Sequence, residues 1–171
     1  NEIVKLMVRP VQADDLEKNK SVDFAFTLAG TDQRFRGNIF MQQGFYSIVL
    51  RTLWSKIPSM EDLKIPPVFR KVALSRSGII LIAGVVASGK TTTINSMIEM
   101  MNQNVERHII TIEDPLEYLH SDKKCIINQR EIGSDAPDFY SAMRYVVRQS
   151  PDVIVAGEIR DAETFHFALS S

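Results

Sequence analysis

Three short runs in the first third of the chain alternate between apolar and polar positions or are rich in β-prone residues. They cover residues 23–28, 34–40 and 45–53, and glycine-containing turns separate them. The first run places three apolar side chains on one face: Phe24, Phe26 and Leu28. An alternation of period two is typical of strands with one buried face, and short turns between such runs predict an antiparallel meander.

The next stretch is broken by prolines, first by Pro58 and a few residues later by the pair Pro66 and Pro67. Proline lacks a backbone donor and biases the preceding residue away from helix, so element boundaries fall naturally here. We expect a linker over residues 55–67 that carries a short helix. It would separate a partial N-terminal domain over residues 1–54 from an incomplete second domain over residues 68–171.

The second domain alternates short apolar runs with helical segments. Strands are predicted at 79–83, 108–112, 125–128 and 153–156, and helices at 90–101, at 138–149 and from residue 161. The helix at 138–149 is predicted to bury four apolar residues: Phe139, Met143, Val146 and Val147. Because strands that are apolar on both faces are covered on both sides, we expect an α/β fold with a mostly parallel sheet.

Composition narrows the class of partner and compartment. The chain has 20 basic and 21 acidic residues and a formal net charge of -1, whereas a general nucleic-acid-binding surface usually carries a basic excess. We therefore expect no nucleic acid as a main partner. The single cysteine, Cys125, excludes an internal disulfide and fits a reducing compartment. No apolar stretch approaches the roughly 20 residues that span a bilayer, so we expect a cytosolic protein that meets membranes through partners.

The strongest local motif matches the pattern G-x-x-x-x-G-K-[ST] between a predicted strand and a predicted helix. Its residues are Gly84, Val85, Val86, Ala87, Ser88, Gly89, Lys90 and Thr91, with Thr92 next in the helix. Such a loop directs backbone N–H groups and a helix N-terminus towards phosphate oxygens. Lys90 is then expected to contact the outer phosphates of ATP, and the Thr91 hydroxyl to bind Mg²⁺. The alternative interpretation is a glycine-rich turn that merely enters a helix.

Two acidic groups follow predicted strands, at the ends where α/β sheets bind ligands. One group is Glu113, Asp114 and Glu117, and the other is Glu158. A nucleotide hydrolase needs one carboxylate to order Mg²⁺ or its waters and another to orient the attacking water. Each group alone is equally compatible with carboxylates in solvated loops or at helix starts, and Asp161 fits a helix cap.

Taken in chain order, these motifs resemble the secretion-type ATPases of type IV pili and type II secretion. Residues 109–118 resemble the aspartate box of that family, and residues 151–161 resemble its variant Walker B motif, in which Gly-Glu follows an apolar strand. Further segments resemble the family's N-terminal domain and linker: 34–40, 49–51 and 57–63. Residues 123–131 are most similar to the pilus retraction branch, PilT and PilU. The likeness covers residues 22–171, and the order of the motifs is more specific than any one of them.

The resemblance implies a fold, an activity and partners. The fold would be a small PAS-like α+β N-terminal domain, truncated at its start, followed by a RecA-like P-loop ATPase domain, truncated at its end. The activity would be that of a hexameric motor that hydrolyses Mg-ATP to power type IV pilus retraction and twitching motility. The implied partners are the other subunits of a homo-hexamer, an inner-membrane pilus platform protein and a paralogous retraction ATPase. The implied location is cytoplasmic and peripheral at the inner membrane.

The resemblance also implies roles for individual side chains. Glu117 would be the general base that orients attacking water, and Glu158 would hold Mg²⁺ through water. Arg34, Arg36 and Arg51 would reach phosphates from the N-terminal domain, a task that suits a planar and permanently charged guanidinium. Judged from the residues alone, Arg34 and Arg36 are more typical of the solvated face of a strand.

The phosphate loop departs from the family's usual Gly-Pro-Thr-Gly-Ser-Gly-Lys, because Val85, Val86 and Ala87 replace Pro-Thr-Gly. A Cβ at Ala87 is strained if the backbone there takes a positive φ. We expect ATP to bind, with impaired turnover left open. Two other hypotheses also stay open: a pilus assembly or type II secretion ATPase, and a nucleotide-binding regulator with little turnover. The family's histidine motif and helical C-terminal region are expected to follow residue 171.

Overall fold

The structure, a computed structural model, describes residues 4, 7–53, 56–159 and 162–170. Its elements in chain order are α1 (Pro10–Asn19), β1 (Ser21–Thr27), β2 (Arg34–Gln42), β3 (Phe45–Thr52), α2 (Val68–Ala73), α3 (Lys90–Asn104), β4 (His108–Glu113), β5 (Ile126–Glu131), α4 (Phe139–Val146), β6 (Val153–Ala156) and α5 (Ala162–Ser170). A 3-10 turn over Val147–Gln149 extends α4. The described strands form two three-stranded sheets.

The first sheet is the predicted antiparallel meander, with strand order β1-β2-β3. Phe24 of β1 and Ile39 of β2 form its core together with Leu16 of α1. The helix α1 was not predicted from the sequence, because its mostly polar residues offer few apolar positions to form a helical stripe. The signal that was present is Pro10 at the first helical position, where a missing N–H costs nothing. The predicted apolar face is shorter than expected, since Leu28 lies beyond β1 and is 48% exposed.

The linker differs from expectation in the position of its helix. Residues 60–64 form a turn instead of a helix. Two hydrogen bonds close its start: the Ser59 N–H donates to Asp62 Oδ2 (3.1 Å), and the Asp62 N–H donates to Ser59 Oγ (3.0 Å). The α-helix follows directly after Pro67, as α2. Proline suits the start of a helix because the first backbone N–H groups there have no intrahelical acceptor. Residues 54 and 55, at the expected end of the N-terminal domain, lie outside the described residues.

β4 is the centre of the second sheet, whose strand order is β5-β4-β6 with both pairs parallel. Four consecutive residues of β4 have no exposed surface: Ile109, Ile110, Thr111 and Ile112. α3 covers one face of the sheet, and α4 covers the other with Ala142, Met143 and Val146. Cys125, just before β5, is buried in the cluster on the α3 side. These contacts confirm the predicted α/β fold with a parallel sheet covered on both faces.

The predicted buried strand at 79–83 is wrong for the described residues. This segment forms no ladder with a described strand, and Ile79, Ile80 and Leu81 are all about half exposed or more. A run of apolar residues indicates burial, but a strand also needs a neighbour that pairs with its backbone N–H and C=O groups. β6 is the described strand on this side of β4, and its free edge makes no such ladder with residues 79–83.

The other predicted elements are present with shifted ends. β5 runs to Glu131, further than expected, and α3 runs to Asn104. Asp138 caps α4, since its Oδ1 accepts from the Ser141 N–H (2.7 Å). Val147 is wrong as an inner-face residue, because the chain leaves α4 for a 3-10 turn there and exposes it, and Ala142 is buried instead. The expected cap Asp161 lies outside the described residues. None of the helices in the described ranges has the length and apolar character to cross a bilayer.

Gly37 of β2 makes room for the largest side chain in the first core. It lies directly opposite Phe24 on one side and Leu50 on the other. A Cβ at position 37 would come within 2.4 Å of the Phe24 ring and 2.8 Å of a Leu50 methyl carbon. Because the Phe24 ring is 1% exposed and has nowhere to move, this contact fixes glycine at the position.

We predict that Gly37→Ala lowers the free energy of unfolding by about 1–3 kcal/mol, because the added methyl group overpacks the meander core. Urea unfolding measures the change. Met41→Ala on the same strand is the matched control, and we expect it to stay within about 0.5 kcal/mol because its side chain is partly exposed. A stability for Gly37→Ala equal to that of the control would contradict the close approach.

Candidate functional site

The glycine loop enters α3 as the sequence predicts. Gly89 precedes the helix with a φ of 90°, and Lys90 is the first helical residue. The first backbone N–H groups of α3 therefore point out of the helix end, where they can bind an anion. The Lys90 Nζ donates to the carbonyl oxygens of Gly84 and Val85, each at 2.9 Å. These neutral acceptors hold the ammonium group across the loop, and phosphate oxygens are stronger acceptors for it.

Ala87 has a φ of 62°, in the left-handed region. This is the backbone conformation for which sequence analysis expected strain at a residue with a Cβ. An L-residue there costs roughly 1–2 kcal/mol relative to its right-handed form, and glycine avoids most of that cost. The loop of this chain therefore holds its shape against a local penalty.

A cleft of about 560 Å³ opens beside the loop, a volume in the range of small-molecule sites. Most of the predicted site residues line it: Val86, Ala87, Gly89, Lys90, Thr91, Thr92, Arg36, Arg51, Glu117 and Glu158. The remaining loop residues, Gly84, Val85 and Ser88, complete the loop without lining the cleft. A larger cavity of about 650 Å³ at the amino ends of the parallel strands includes Arg76, Arg107 and Lys124. It has no glycine loop and lies at the end of the sheet opposite to that where such folds bind ligands.

The three candidate arginines take different positions. Arg51 of β3 lines the cleft, as does Arg36 of β2, whose Nη1 lies 3.7 Å from Glu117 Oε1. Arg34 does not line it. Its guanidinium donates instead to the backbone oxygen of Leu116, from Nη2 at 2.8 Å and from Nε at 3.3 Å. The structure thus brings two of the three arginines to the cleft and places the third behind the loop that carries Glu117.

The acidic residues gather at the carboxyl ends of β4 and β6. Glu113 ends β4, and its Oε1 accepts from the Thr111 hydroxyl (2.6 Å). Burial raises the pKa of Glu113 above its usual value, although the hydrogen bonds from Thr111 and Gln129 oppose this. Gly157 donates its N–H to Ile112 O (2.8 Å), and a Cβ there would lie 3.2 Å from the same oxygen. This close approach brings the chain before Glu158 against the end of β4.

A buried histidine beneath the loop was missed by sequence analysis. The side chain of His120 has no exposed surface, and its Nε2 lies 2.8 Å from Asn95 Oδ1. The Asn95 Nδ2 donates in turn to the backbone oxygen of Thr91 (2.9 Å), and His120 Nδ1 lies 3.6 Å from Glu99 Oε2. This chain of contacts fixes the first turn of α3 from behind. Residues 95 and 120 carry no spacing signal, so only the fold brings them together.

Ala87→Gly is expected to raise the free energy of unfolding by about 0.5–1 kcal/mol, since it removes the left-handed strain at a small cost in chain entropy. Urea unfolding of both proteins measures the difference. Ala13→Gly, inside α1, is the matched control with the opposite sign, because glycine in a helix interior costs about 1 kcal/mol. A loss of stability in Ala87→Gly similar to that of the control would refute the strain at this position.

His120 is expected to make stability depend on pH. Burial lowers its pKa below the usual 6.5, with the nearby Glu99 opposing the shift. The unfolded chain then binds a proton that the folded protein excludes, so stability falls as pH decreases below about 6.5 towards the folded pKa. Urea unfolding between about pH 7.5 and 5.5 should show a smaller decrease for His120→Gln than for wild type. His108→Gln, which removes a half-buried histidine of β4, is the matched control, and equal slopes in wild type and His120→Gln would contradict the prediction.

Comparison with known proteins identifies relatives of the chain. The type II/IV secretion system protein family matches residues 24–171. The chain is 41% identical over 160 residues to the type IV pilus retraction ATPase PilT of Pseudomonas aeruginosa, covering 94% of the chain and 46% of that protein. It is 44% identical over 156 residues to the uncharacterised protein YggR of Escherichia coli, covering 91% of the chain and 48% of that protein. The chain thus spans about half the length of the curated relatives it matches.

Solved structures show the same similarity. The crystal structure of the pilus retraction motor PilT with bound ADP superposes with a TM-score of 0.93 at 43% identity, covering 99% of this chain and 49% of that chain. A similarity of this extent includes both described sheets. The chain belongs to the type II/IV secretion system protein family.

Proposed function

We propose that the chain is part of a hexameric motor ATPase that hydrolyses Mg-ATP to power type IV pilus retraction. The observation that carries the proposal is the cleft in which the glycine loop, two arginines from the meander and the carboxylates of Glu117 and Glu158 meet. An ATPase needs these three kinds of group, to hold phosphates, to balance their charge and to direct water. Relatives named as pilus retraction and twitching motility proteins support pilus retraction as the process that the ATPase powers.

In this proposal the two sheets belong to two domains. Residues 1–54 would form a partial PAS-like N-terminal domain, residues 55–67 a linker, and residues 68–171 an incomplete RecA-like nucleotide-binding domain. The cleft supports this division, because it takes Arg36 and Arg51 from the first sheet and all other candidate residues from the part of the chain after residue 67. ATP would lie between the two domains, so that turnover changes the angle between them.

The proposed roles are those that the family resemblance implies, and the position of these residues in the cleft supports them. Backbone N–H groups of the loop and of the start of α3 would hold the phosphates, and Lys90, Arg36 and Arg51 would balance their charge. Glu117 would orient the attacking water as a general base. Because Arg36 already lies 3.7 Å from Glu117 Oε1 and 3.8 Å from Asp23 Oδ2, arrival of a phosphate would give this guanidinium a third anionic partner beside the proposed base.

Mg²⁺ fits the oxygen donors of the cleft. Thr91 offers a hydroxyl and Glu158 a carboxylate in the same space, and oxygen ligands are those that Mg²⁺ prefers. Among the residues that the structure describes, no group of three or more His, Cys, Asp or Glu could hold a metal ion. The cation would be held by one or two protein groups together with phosphates and water. The ion would neutralise charge on the phosphates when bound.

The proposal extends to assembly and place of action. The motor would act as a homo-hexamer at the cytoplasmic face of the inner membrane, on a pilus platform protein and beside a paralogous retraction ATPase. Family membership and the likeness to PilT support this part. The strained Ala87 favours one alternative, a subunit that binds ATP and regulates the motor with little turnover of its own.

Phosphate release from Mg-ATP by the full-length protein tests the function. We expect Lys90→Ala to lose nucleotide binding and turnover together, because the substitution removes the ammonium group that is proposed to bind the phosphates. We expect Glu117→Gln to keep nucleotide binding and to lose about 10²–10⁴-fold in turnover. Lys71→Ala on the exposed side of α2 is the matched control with unchanged rate.

Two outcomes would change the conclusion. A wild-type protein that binds ATP without releasing phosphate would support the regulator. A protein that stays monomeric with Mg-ATP, binds none of it and shows no effect of Lys90→Ala would refute the motor.

A further inference from the structure

Leu116, the residue before Glu117, has both of its backbone polar groups bound by charged side chains. Its N–H donates to Glu131 Oε2 (3.1 Å). Its carbonyl oxygen accepts from Arg34 Nη2 (2.8 Å) and Nε (3.3 Å). We call Arg34, Leu116 and Glu131 the Leu116 clamp. Hydrogen bonds to ionised groups are stronger than those between neutral groups, so the clamp holds the backbone of Leu116 firmly on both sides.

The two charged members of the clamp are shielded from water. The side chains of Arg34 and Glu131 are 13% and 6% exposed, and Nη2 of the arginine lies 3.6 Å from Oε2 of the carboxylate. Arg9, before α1, contributes a second cation at 2.6 Å from Glu131 Oε1. Buried charges persist only when partners satisfy them, and the Leu116 peptide supplies one partner to each. The geometry of the charges and that of the peptide therefore depend on each other.

The clamp joins the two sheets at the loop of the proposed base. Arg34 is the first residue of β2 in the meander, and Glu131 is the last residue of β5 in the parallel sheet. The Glu131 N–H donates to Asp135 Oδ2 (2.8 Å), so this end of β5 is itself anchored. Leu116 is 8% exposed and lies between them. Any displacement of the meander relative to β5 acts on Leu116 through Arg34.

We propose that Arg34 and Glu131 are positioning residues that set the place of the Glu117 carboxylate by holding the peptide of Leu116. The proposal rests on the proposed function, in which Glu117 orients the attacking water. It gives Arg34 a role different from phosphate binding, because its Nε and Nη2 are committed to Leu116 and its Nη1 contacts Thr27 Oγ1 (3.4 Å). It also couples the position of the base to the angle between the two sheets.

The test measures kcat and the affinity for Mg-ADP and Mg-ATP in the full-length protein. Arg34→Met and Glu131→Met remove the clamp contacts and keep most of the side-chain volume. We expect each to lower kcat about tenfold or more, since a displacement of about 1 Å at a reacting group can cost 10²-fold. Nucleotide affinity should stay within about a factor of two, because the contact acts after binding. The double variant should lose little more than either single one, as members of one network do.

Two further variants separate positioning from general stability. Glu131→Gln keeps an acceptor for the Leu116 N–H and is expected to retain more activity than Glu131→Met. Arg107→Met is the matched control, because its guanidinium also donates to backbone oxygens, those of Ala73 and Leu74, at the other end of the sheet. It should lower the unfolding midpoint and leave kcat unchanged. A loss of kcat in the control equal to that in the clamp variants would overturn the positioning role.

Amide hydrogen exchange of residues 114–118 tests the clamp without any turnover. We expect faster exchange in Arg34→Met and Glu131→Met than in wild type, with no change in Arg107→Met. Unchanged exchange in both clamp variants would overturn the proposal even if the protein is an active ATPase. Two results together would instead make Arg34 a phosphate ligand. ATP would bind more weakly to Arg34→Met but not to Glu131→Met, and the effects of the two substitutions would add in the double variant. If the wild-type protein shows no turnover, the proposed function fails. Amide hydrogen exchange then decides by itself whether Arg34 and Glu131 hold the backbone of Leu116.

Discussion

Pairing on both edges of β4 is the constraint on which the candidate site depends. β5 and β6 run parallel to β4 on either side, so the carboxyl ends of all three strands meet at one edge of the sheet. Glu113 therefore lies opposite Glu131 and next to Gly157, although these residues are far apart along the chain. The burial of β4 from Ile109 to Glu113 restricts movement at this edge. The glycine loop and the acidic residues can then share one cleft.

Two kinds of ion pair connect the meander to that edge, and they differ in how firmly they hold. The pair between Arg36 and Glu117 is partly exposed and separated by 3.7 Å, so water and salt weaken it. The pair between Arg34 and Glu131 is buried and supported by backbone hydrogen bonds. In the proposed function, an incoming phosphate can replace Glu117 as the partner of Arg36. The pair between Arg34 and Glu131 meanwhile holds the two sheets together.

The parts of the fold that were predicted from the sequence are those that depend on local pattern. The meander, α3 and the three parallel strands follow from periodicity and turn residues, and the glycine loop follows from a short motif. The run at 79–83 failed as a strand because apolar character does not specify a pairing partner. Arg34 was placed on phosphates by resemblance alone, whereas its contact to Leu116 spans 82 positions. His120 and Glu131 also depend on contacts across the fold, to Asn95 at 25 positions and to Leu116 at 15 positions along the chain, which a single sequence does not reveal.

The burial of Cys125 has a practical consequence for measuring motion between the two sheets. Its Sγ donates to Val105 O (3.1 Å), and burial raises the pKa of the thiol above its usual value. The exposed thiolate is the nucleophile that attacks thiol reagents, so this buried thiol reacts poorly in the folded protein. A cysteine introduced on the exposed face of β3 can therefore take a fluorescent or spin label while the native thiol stays in place. The chain thus has one thiol, which is buried, and this suits distance measurements between labels placed on the two sheets.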